Sequence, residues 1–392
     1  MGRGLRLAPG KQLLTVFDFV AQLNNKYDYA SRFRSLLVRQ DKNIKDQIKG
    51  GFTFLPHGCT IHMEEKAQKY VLQNIQAAIY NKPRLKKELQ TFGYTPSLKE
   101  FIESIGQDIR LIYKGSCCWT SLKREAGLCT YDTDENTKRF ENYISNLVHS
   151  NCASYLHFVQ KIIENLDDIT FADERERTYG TMLYYTLFGD RISKVGVNSI
   201  EEAIGRLKNY PAFVSEIKEL TDYLLSNLDS KTFAVGEGMP LALEQYGCYT
   251  REEIFAIFGR QTADKRMQGI VAGVVKIDEL DTELFFVTLN KSEKDFSPST
   301  MYDDYVVNEN QFHWQSQSND SHNGKGRRFV EQAINKKKFI LFVRENKKDG
   351  FNNTCPFYCF GLVDYISSRD DKPMSINWHT HQPILPQFVK AV

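Results

Sequence analysis

The spacing of the apolar residues changes part-way along this chain, and that change constrains the fold more than any other feature. From residue 63 onward, apolar side chains recur every three or four positions, as at Ala67, Val71, Ile75 and Ile79. This period is typical of amphipathic helices. From about residue 269 they form short continuous runs such as 284–289, which are typical of buried strands. Together the two patterns predict an α+β chain whose helices and strands occupy separate stretches.

Turn-forming residues divide the chain into regions. At 392 residues it is long enough for two or three domains, each with its own core. Gly50 and Gly51 mark one joint, and the glycine- and proline-containing segment 230–245 marks another. Because the last strands are separated by polar loops, we expect them to form a curved sheet or an open barrel. The predicted multidomain arrangement is a short α/β remnant, an all-helical region and a mostly-β domain, at residues 1–50, 51–235 and 236–392.

Local signals predict individual elements within these regions. Pro211 opens one helix, Ser116 caps a second, and Thr250 caps a third, with Glu253 completing a capping box. The other helices are predicted at 97–103, 138–148, 153–165 and 173–187. The strands are predicted at 13–20, 269–277, 284–289, 338–344, 356–365 and 375–379.

Composition excludes several classes of protein. No run approaches the roughly 20 apolar residues of a membrane helix, and no apolar segment follows Arg3 and Arg6 as in a secretory signal. The eight cysteines are scattered through the chain, which is typical of reduced thiols. We therefore expect a cytoplasmic protein without a membrane partner. Because the net charge is only +2, a nucleic-acid site would have to be a local patch.

Aromatic and polar side chains alternate after the apolar run 284–289. Flat rings can stack on a nucleobase, and carboxylates and amides can bind its edge. A carboxylate in this stretch would accept a hydrogen bond from the cytosine N4 amine. The competing interpretation is that the rings belong to the core. The candidate base-reading residues are Tyr302, Asp303, Asp304, Tyr305, Phe312, Trp314 and Gln315.

A basic segment follows these aromatic residues. Residues 324–348 contain nine lysines and arginines but only two glutamates. Phosphate contacts by such side chains provide affinity, while base contacts provide discrimination. A lysine run such as 336–338 is also common in solvated turns. The candidate phosphate-binding residues are Lys325, Arg327, Arg328, Lys336, Lys337 and Lys338.

No catalytic or metal site is predicted. Asp281, Glu283, Glu293 and Lys294 are the nearest approach to a nuclease cluster, but the last two are adjacent and would point to opposite faces of a strand. A zinc site is one interpretation of the last cysteines and histidines, and buried thiols with hydrogen-bonded histidines are the other. That set is Cys355, Cys359, His379 and His381.

Several segments of the last region resemble a known family. They are TLNKSEKDFSPSTMYDDY, FHWQSQS, FILFVRENKKD, PFYCFGLVDYISS and KPMSINWH. They resemble a C-terminal domain of unknown function in large bacterial proteins that also carry a phospholipase D-like nuclease and a superfamily-two helicase. Similar proteins include restriction enzymes that cut DNA containing methylated cytosine. The resemblance implies that the last domain binds DNA, with modified cytosine as the expected base, in phage defence alongside a nuclease and helicase half.

The first residues resemble part of helicase motif six. The pentapeptide Gly2-Arg3-Gly4-Leu5-Arg6 matches G-R-x-x-R, whose arginines contact the γ-phosphate of ATP in that family. The resemblance implies that residues 1–50 are the end of a second RecA-like lobe.

The remaining helicase motifs are missing from the sequence. No phosphate-binding loop or Walker-B acidic pair is present, so we expect ATP and Mg²⁺ to bind only in a complete assembly. The chain alone is predicted to be neither an ATPase nor a nuclease. One alternative is a part that completes a helicase motor in trans, and another is a protein-interaction scaffold.

Overall fold

The computed structural model describes most of the chain in two compact units, Met1–Ile79 and Tyr80–Val392. Arg3, Arg6, the predicted strand 13–20 and Tyr302 lie outside the described residues, so the RecA-like lobe stays a prediction. Among the residues described, no helix is both long enough and apolar enough to cross a membrane. The described residues are 29–38, 44–56, 59–64, 67–68, 71–72, 75, 81–115, 117–228, 231–267, 272–291, 303–349 and 353–389.

The first unit has a small core of its own. Two short helices, α1 (Tyr29–Arg34) and α2 (Ile44–Gly50), contribute to it. The Phe33 and Phe52 rings pack with their centroids 5.3 Å apart, and apolar residues of the following segment complete a separate buried cluster.

The second unit begins with a helical part, as the apolar spacing predicts. The predicted helix at Pro211 begins there, and Thr250 and Glu253 form the predicted capping box. Ser116, the predicted cap of an earlier helix, lies outside the described residues, and the side chain of Cys118 caps that helix. Its main helices are α3 (Lys82–Gln90), α4 (Leu98–Ile105), α5 (Trp119–Glu125), α6 (Glu135–Tyr143), α7 (Ala153–Glu164), α8 (Glu174–Phe188), α9 (Ile192–Val195), α10 (Ile200–Gly205), α11 (Pro211–Ser226) and α12 (Arg251–Ile257).

A buried carboxylate joins two of these helices. Glu216 of α11 is fully buried and accepts hydrogen bonds from the backbone N–H groups of Trp119 and Thr120, each at 2.8 Å. Those groups lie in the first turn of α5 and have no partner within their own helix. Burial raises the pKa of Glu216 above its usual value, although these hydrogen bonds favour the charged form.

The strands begin after α11 in the chain and form two sheets. A small sheet pairs β1 with β2, while the large sheet has the order β4-β5-β8-β9-β10-β7-β6, with β3 also paired to β9. In the large sheet β5 and β8 are parallel, and the other pairs are antiparallel. The strands are β1 (Phe233–Ala234), β2 (Glu244–Gln245), β3 (Cys248–Tyr249), β4 (Val274–Ile277), β5 (Thr282–Thr288), β6 (Tyr305–Asn308), β7 (Gln311–Gln315), β8 (Lys338–Arg344), β9 (Phe357–Arg369) and β10 (Ser375–Thr380).

Both faces of β5 and β8 are buried, which explains their continuous apolar sequences. On one face Phe286 and Ile340 join the core of the helical part, here called the helix–sheet core. On the other face Phe285 and Leu341 join a second cluster, here called the sheet core. The boundary predicted near residue 236 therefore falls inside one compact unit, whose helices and sheet share a core.

The large sheet curves around the sheet core. The Phe285 ring of β5 stacks on the Trp314 ring of β7, with centroids 4.4 Å apart and planes at 11°. Three strands separate β5 from β7 in the sheet, so this contact requires strong curvature. In the part described, the edge strands β4 and β6 do not pair with each other. The chain is thus α+β with an unclosed C-terminal sheet.

The hairpin formed by β6 and β7 differs from the prediction. No strand is predicted between residues 289 and 338, but Tyr305–Asn308 and Gln311–Gln315 are antiparallel strands. Two short helices, α13 (Arg327–Val330) and α14 (Gln332–Asn335), then lead into β8. They lie within the crossover that connects the parallel strands β5 and β8.

Candidate nucleic-acid interface

Two of the predicted base-reading rings lie in the core. Phe312 is fully buried and Trp314 nearly so, both in the sheet core. Trp314 stacks on Phe285 and meets the edge of Phe329 at a centroid distance of 5.3 Å. Phe312 and Trp314 are therefore core residues and not the predicted stacking surfaces for a base, because protein rings occupy the position that a base would need.

The predicted base-reading acids differ in environment. Asp304 is buried and accepts hydrogen bonds from the Lys291 ammonium at 2.5 Å and from the backbone N–H of Gln315 at 2.9 Å. Asp303 is exposed, and its backbone N–H donates to the Gln315 side-chain oxygen at 2.8 Å. Asp304 and Gln315 thus hold the segment before β6 against the end of β7. Asp303 keeps a carboxylate in solvent.

Tyr305 faces solvent at the end of a row of side chains that crosses the sheet. Its side chain is 41% exposed, and its ring stacks on the buried His313 ring at a centroid distance of 4.6 Å. Nδ1 of His313 lies 2.9 Å from the Asn377 side-chain oxygen, and the Asn377 amide donates to Ser367 Oγ at 3.2 Å. This outer row spans β6, β7, β10 and β9, so Tyr305 presents a supported flat surface.

Two of the predicted phosphate-binding residues have structural partners. The Arg328 guanidinium contacts the fully buried Glu283 carboxylate at 2.9 and 3.0 Å, and also lies 3.5 Å from Asp320. The Lys337 ammonium lies 3.2 Å from Asp281 and 3.5 Å from Glu283. These contacts neutralise a carboxylate at the start of β5. Arg328 and Lys337 therefore have a structural role in place of the predicted contact with phosphate.

The other basic candidates are accessible to a ligand. Arg327 is exposed and pairs with Glu331 one helical turn away. Lys325 and Lys336 are exposed and Lys338 is partly exposed. Across the residues that the structure describes, none of these three lysines pairs with a carboxylate. Lys338 Nζ donates to the backbone carbonyl of Glu237 at 3.5 Å. Positive charges that no carboxylate neutralises are the ones that phosphate groups can neutralise.

The lysines at 336–338 line a cavity of about 480 Å³, here called the lysine pocket. Apolar side chains form much of its wall, and the remaining polar groups come from β9, α14 and the segment after β10. The lining residues are Val330, Gln332, Ala333, Lys336, Lys337, Lys338, Phe339, Leu362, Val363, Asp364, Tyr365 and His381.

Gln332 fixes the shape of the lysine pocket. Its amide donates to the Val363 carbonyl at 2.9 Å and to the Asp364 carboxylate at 3.2 Å. Its side-chain oxygen accepts from the backbone N–H of Tyr365 at 2.6 Å. The buried glutamine thus ties α14 to β9, so the pocket wall is built before any ligand arrives.

Asp364 and His381 form the acidic side of the lysine pocket. His381 Nε2 lies 2.8 Å from Asp364 Oδ2, and the two side chains are 44% and 59% exposed respectively. Asp364, Gln332 and Tyr365 were not predicted, and His381 was predicted either as a zinc ligand or as a hydrogen-bonded histidine. No local pattern marks these residues, because they come together only through the pairing of β9 and the position of α14.

The proposed zinc ligands do not form a site. Cys359 is fully buried in the helix–sheet core, whereas His379 and His381 are exposed. Across the described part of the chain, no group of three or more histidine, cysteine, aspartate or glutamate side chains could coordinate a metal ion. Burial raises the pKa of the Cys359 thiol to about 12, which is typical of an inert core cysteine.

A family model matches the C-terminal part of the chain. Residues 243–390 match the family model of a domain of unknown function, DUF3427. This domain is known from helicase-associated proteins. No curated protein matches the chain. The matched residues contain β3 to β10, the outer row and the lysine pocket, so both candidate surfaces lie within the part of the chain that is similar to DUF3427.

Proposed function

We propose that the DUF3427 domain of this protein binds DNA at the surface around the lysine pocket. The observation that carries this proposal is the position of Lys336 and Lys338. Neither pairs with a described carboxylate, and both border a cavity with apolar walls and polar groups at one side. A site of this kind combines charge for the DNA backbone with a recess for a less polar group.

Other accessible side chains add further groups that suit DNA binding. Lys325 and Arg327 lie just before and within α13 and supply further exposed cations. Tyr305 offers a ring face of the kind that stacks on unpaired bases. The resemblance to modification-dependent restriction enzymes supports modified cytosine as the target. The same resemblance supports a nuclease and helicase partner, with ATP and Mg²⁺ bound only in that assembly.

A salt titration tests DNA binding directly. Each phosphate contact releases counterions, so the logarithm of the association constant falls with the logarithm of salt concentration by about 0.9 per contact. We expect the full chain to bind a labelled duplex with a steep slope, measured by fluorescence anisotropy. The double variant Lys336→Ala, Lys338→Ala should reduce the magnitude of that slope by about 2.

The matched control is Lys218→Ala, which removes an exposed lysine from α11. This variant should leave both affinity and slope unchanged. Binding that is insensitive to salt, or equally weakened by the control, would refute the assignment of DNA contacts to the lysine pocket. Complete absence of binding to duplexes carrying plain, methylated or hydroxymethylated cytosine would refute the DNA-binding function itself.

A further inference from the structure

We propose that the lysine pocket receives a single nucleotide turned out of the DNA stack, and that Asp364 selects a base with an exocyclic amine. Ile334 then occupies the space that the nucleotide leaves between its neighbours. This inference rests on the proposed DNA binding and deepens it. It places base reading in the pocket, away from the buried rings of the β6–β7 hairpin.

The size and walls of the pocket suit one nucleotide. Its volume of about 480 Å³ is within the roughly 300–1,000 Å³ range of pockets that enclose small ligands. Val330, Ala333 and Leu362 provide accessible apolar surface for the faces of a base, and Tyr365 provides an aromatic ring. Whole duplex DNA cannot enter such a recess, whereas an unstacked nucleotide presents both a flat face and a readable edge.

The carboxylate of Asp364 has acceptor capacity left for a ligand. Two ionised oxygens offer about four acceptor sites. Gln332 and His381 each use one of them, at 3.2 and 2.8 Å. A further N–H group can therefore bind at the solvent side of Asp364. The N4 amine of cytosine supplies that donor, whereas uracil has a carbonyl oxygen at the same position and would repel the carboxylate.

Ile334 is exposed beside the pocket. Its side chain is 78% exposed on α14. Ala333 and Lys336, which are one and two positions away in the chain, both line the pocket. An isoleucine in this position carries a cost in solvent unless it meets an apolar surface. DNA provides one when a nucleotide leaves the stack, because apolar side chains inserted between base steps replace the lost stacking.

The amine preference is tested with duplexes that differ at one position. The full chain would be titrated with three labelled duplexes: one fully paired, one with cytosine opposite an abasic position, and one with uracil opposite the same position. An unpaired base removes most of the cost of extrusion. We expect binding to unpaired cytosine to be about tenfold tighter than to the paired duplex and about tenfold tighter than to uracil.

Two aspartate variants isolate the residue responsible. Asp364→Ala should abolish the preference for cytosine over uracil, so that the ratio of the two affinities falls from about tenfold to about one. Asp371→Ala is the matched control, because Asp371 is another exposed aspartate that contacts a histidine, His322, at 2.9 Å. Equal binding of cytosine and uracil by the unmodified protein would overturn the pocket proposal and leave DNA binding intact. Failure to bind any duplex would instead overturn DNA binding.

Insertion of Ile334 has its own readout. A 2-aminopurine placed next to the unpaired cytosine becomes more fluorescent when it loses its stacking neighbour, and a side chain inserted in the gap keeps it from stacking on the base across the gap. Ile334→Ala should lower the fluorescence of the complex about twofold relative to the unmodified protein. Val307→Ala, an exposed apolar truncation on β6, should not. Identical fluorescence with Ile334→Ala would exclude the inserted side chain.

Discussion

Glu283 shows how a single charge can determine the roles of its neighbours. Its carboxylate is fully buried at the start of β5, where an unpaired charge would be strongly unfavourable. Arg328 satisfies both carboxylate oxygens, and Lys337 adds a second positive charge nearby. A sequence that reads as a basic segment therefore contains cations that are already used inside the protein.

The neighbouring arginines Arg327 and Arg328 provide a direct stability test. Arg328→Ala should lower the free energy of unfolding by about 3–5 kcal/mol, because removing one partner leaves a buried charge poorly compensated. Arg327→Ala breaks only an exposed pair with Glu331 and should cost at most about 0.5 kcal/mol. Urea unfolding of both variants measures the difference. Similar values would contradict a structural role for the contact between Arg328 and Glu283.

At the residue scale, the sequence could identify exposed cations but not their partners. Lys336 and Lys338 keep the accessibility expected of a candidate phosphate contact, whereas Arg328 and Lys337 do not. Nothing in the local sequence distinguishes these two pairs. Arg328 and Lys337 differ from the other pair because they contact Glu283, which lies far away in the chain. The parallel pairing of β5 with β8 brings Glu283 close to Lys337.

Element by element, the period of the sequence explains which predictions succeeded. The strand β8 spans the predicted residues 338–344, because a strand buried on both faces gives a continuous apolar run. The strand β7 was missed although Phe312 and Trp314 alternate with polar residues at a period of two. That alternation is the signal that could have found it, with the Glu309 and Asn310 turn before it.

The contact between α11 and α5 gives a pH-dependent prediction. The pKa of Glu216 is raised in the folded protein, so folding takes up a proton at pH values just above the pKa of the unfolded chain. Its contribution to stability is therefore largest below that pKa and falls as pH rises through the folded pKa. Glu216→Gln cannot titrate, so the stability of the unmodified protein relative to this variant should fall as pH rises above about 4.3, the usual pKa of a glutamate.

Urea unfolding at several pH values measures this difference for Glu216→Gln. The control is Glu174→Gln, which removes an exposed carboxylate from the first turn of α8. The stability difference for the control should not decrease with pH in the same way. A constant or increasing difference for Glu216→Gln would mean that burial does not govern the protonation of Glu216.

On the scale of the whole molecule, the shared core connects the helices to the sheet. Tyr155 and Phe213 of the helical part belong to the same buried cluster as Phe286 and Phe342 of the sheet. The sequence placed a boundary at residue 236 because glycine and proline lie there. Those residues form a turn-rich connection, but packing across it depends on side chains that approach only after folding.

This shared core predicts that residues 80–392 unfold as one unit. Helix unfolding, followed by far-ultraviolet circular dichroism, should have the same urea midpoint as sheet unfolding. The sheet can be followed by the fluorescence of Trp314 and Trp378 in a Trp119→Phe variant, because the chain has three tryptophans. A fragment containing only residues 240–392 should aggregate, because it exposes one face of β5 and β8. Separate midpoints, or a soluble folded fragment, would contradict the prediction.

The position of β10 also has a consequence for synthesis on the ribosome. Backbone hydrogen bonds attach the β6–β7 hairpin to the rest of the sheet through β10, the described strand that follows all the others in sequence. The segment between Gln315 and Ser375 takes several seconds to translate at about 5–20 residues per second. During that interval the nascent hairpin has no strand to pair with, and its inward rings are without their final cover. Chaperones that shield apolar surface would therefore have an opportunity to act during this interval.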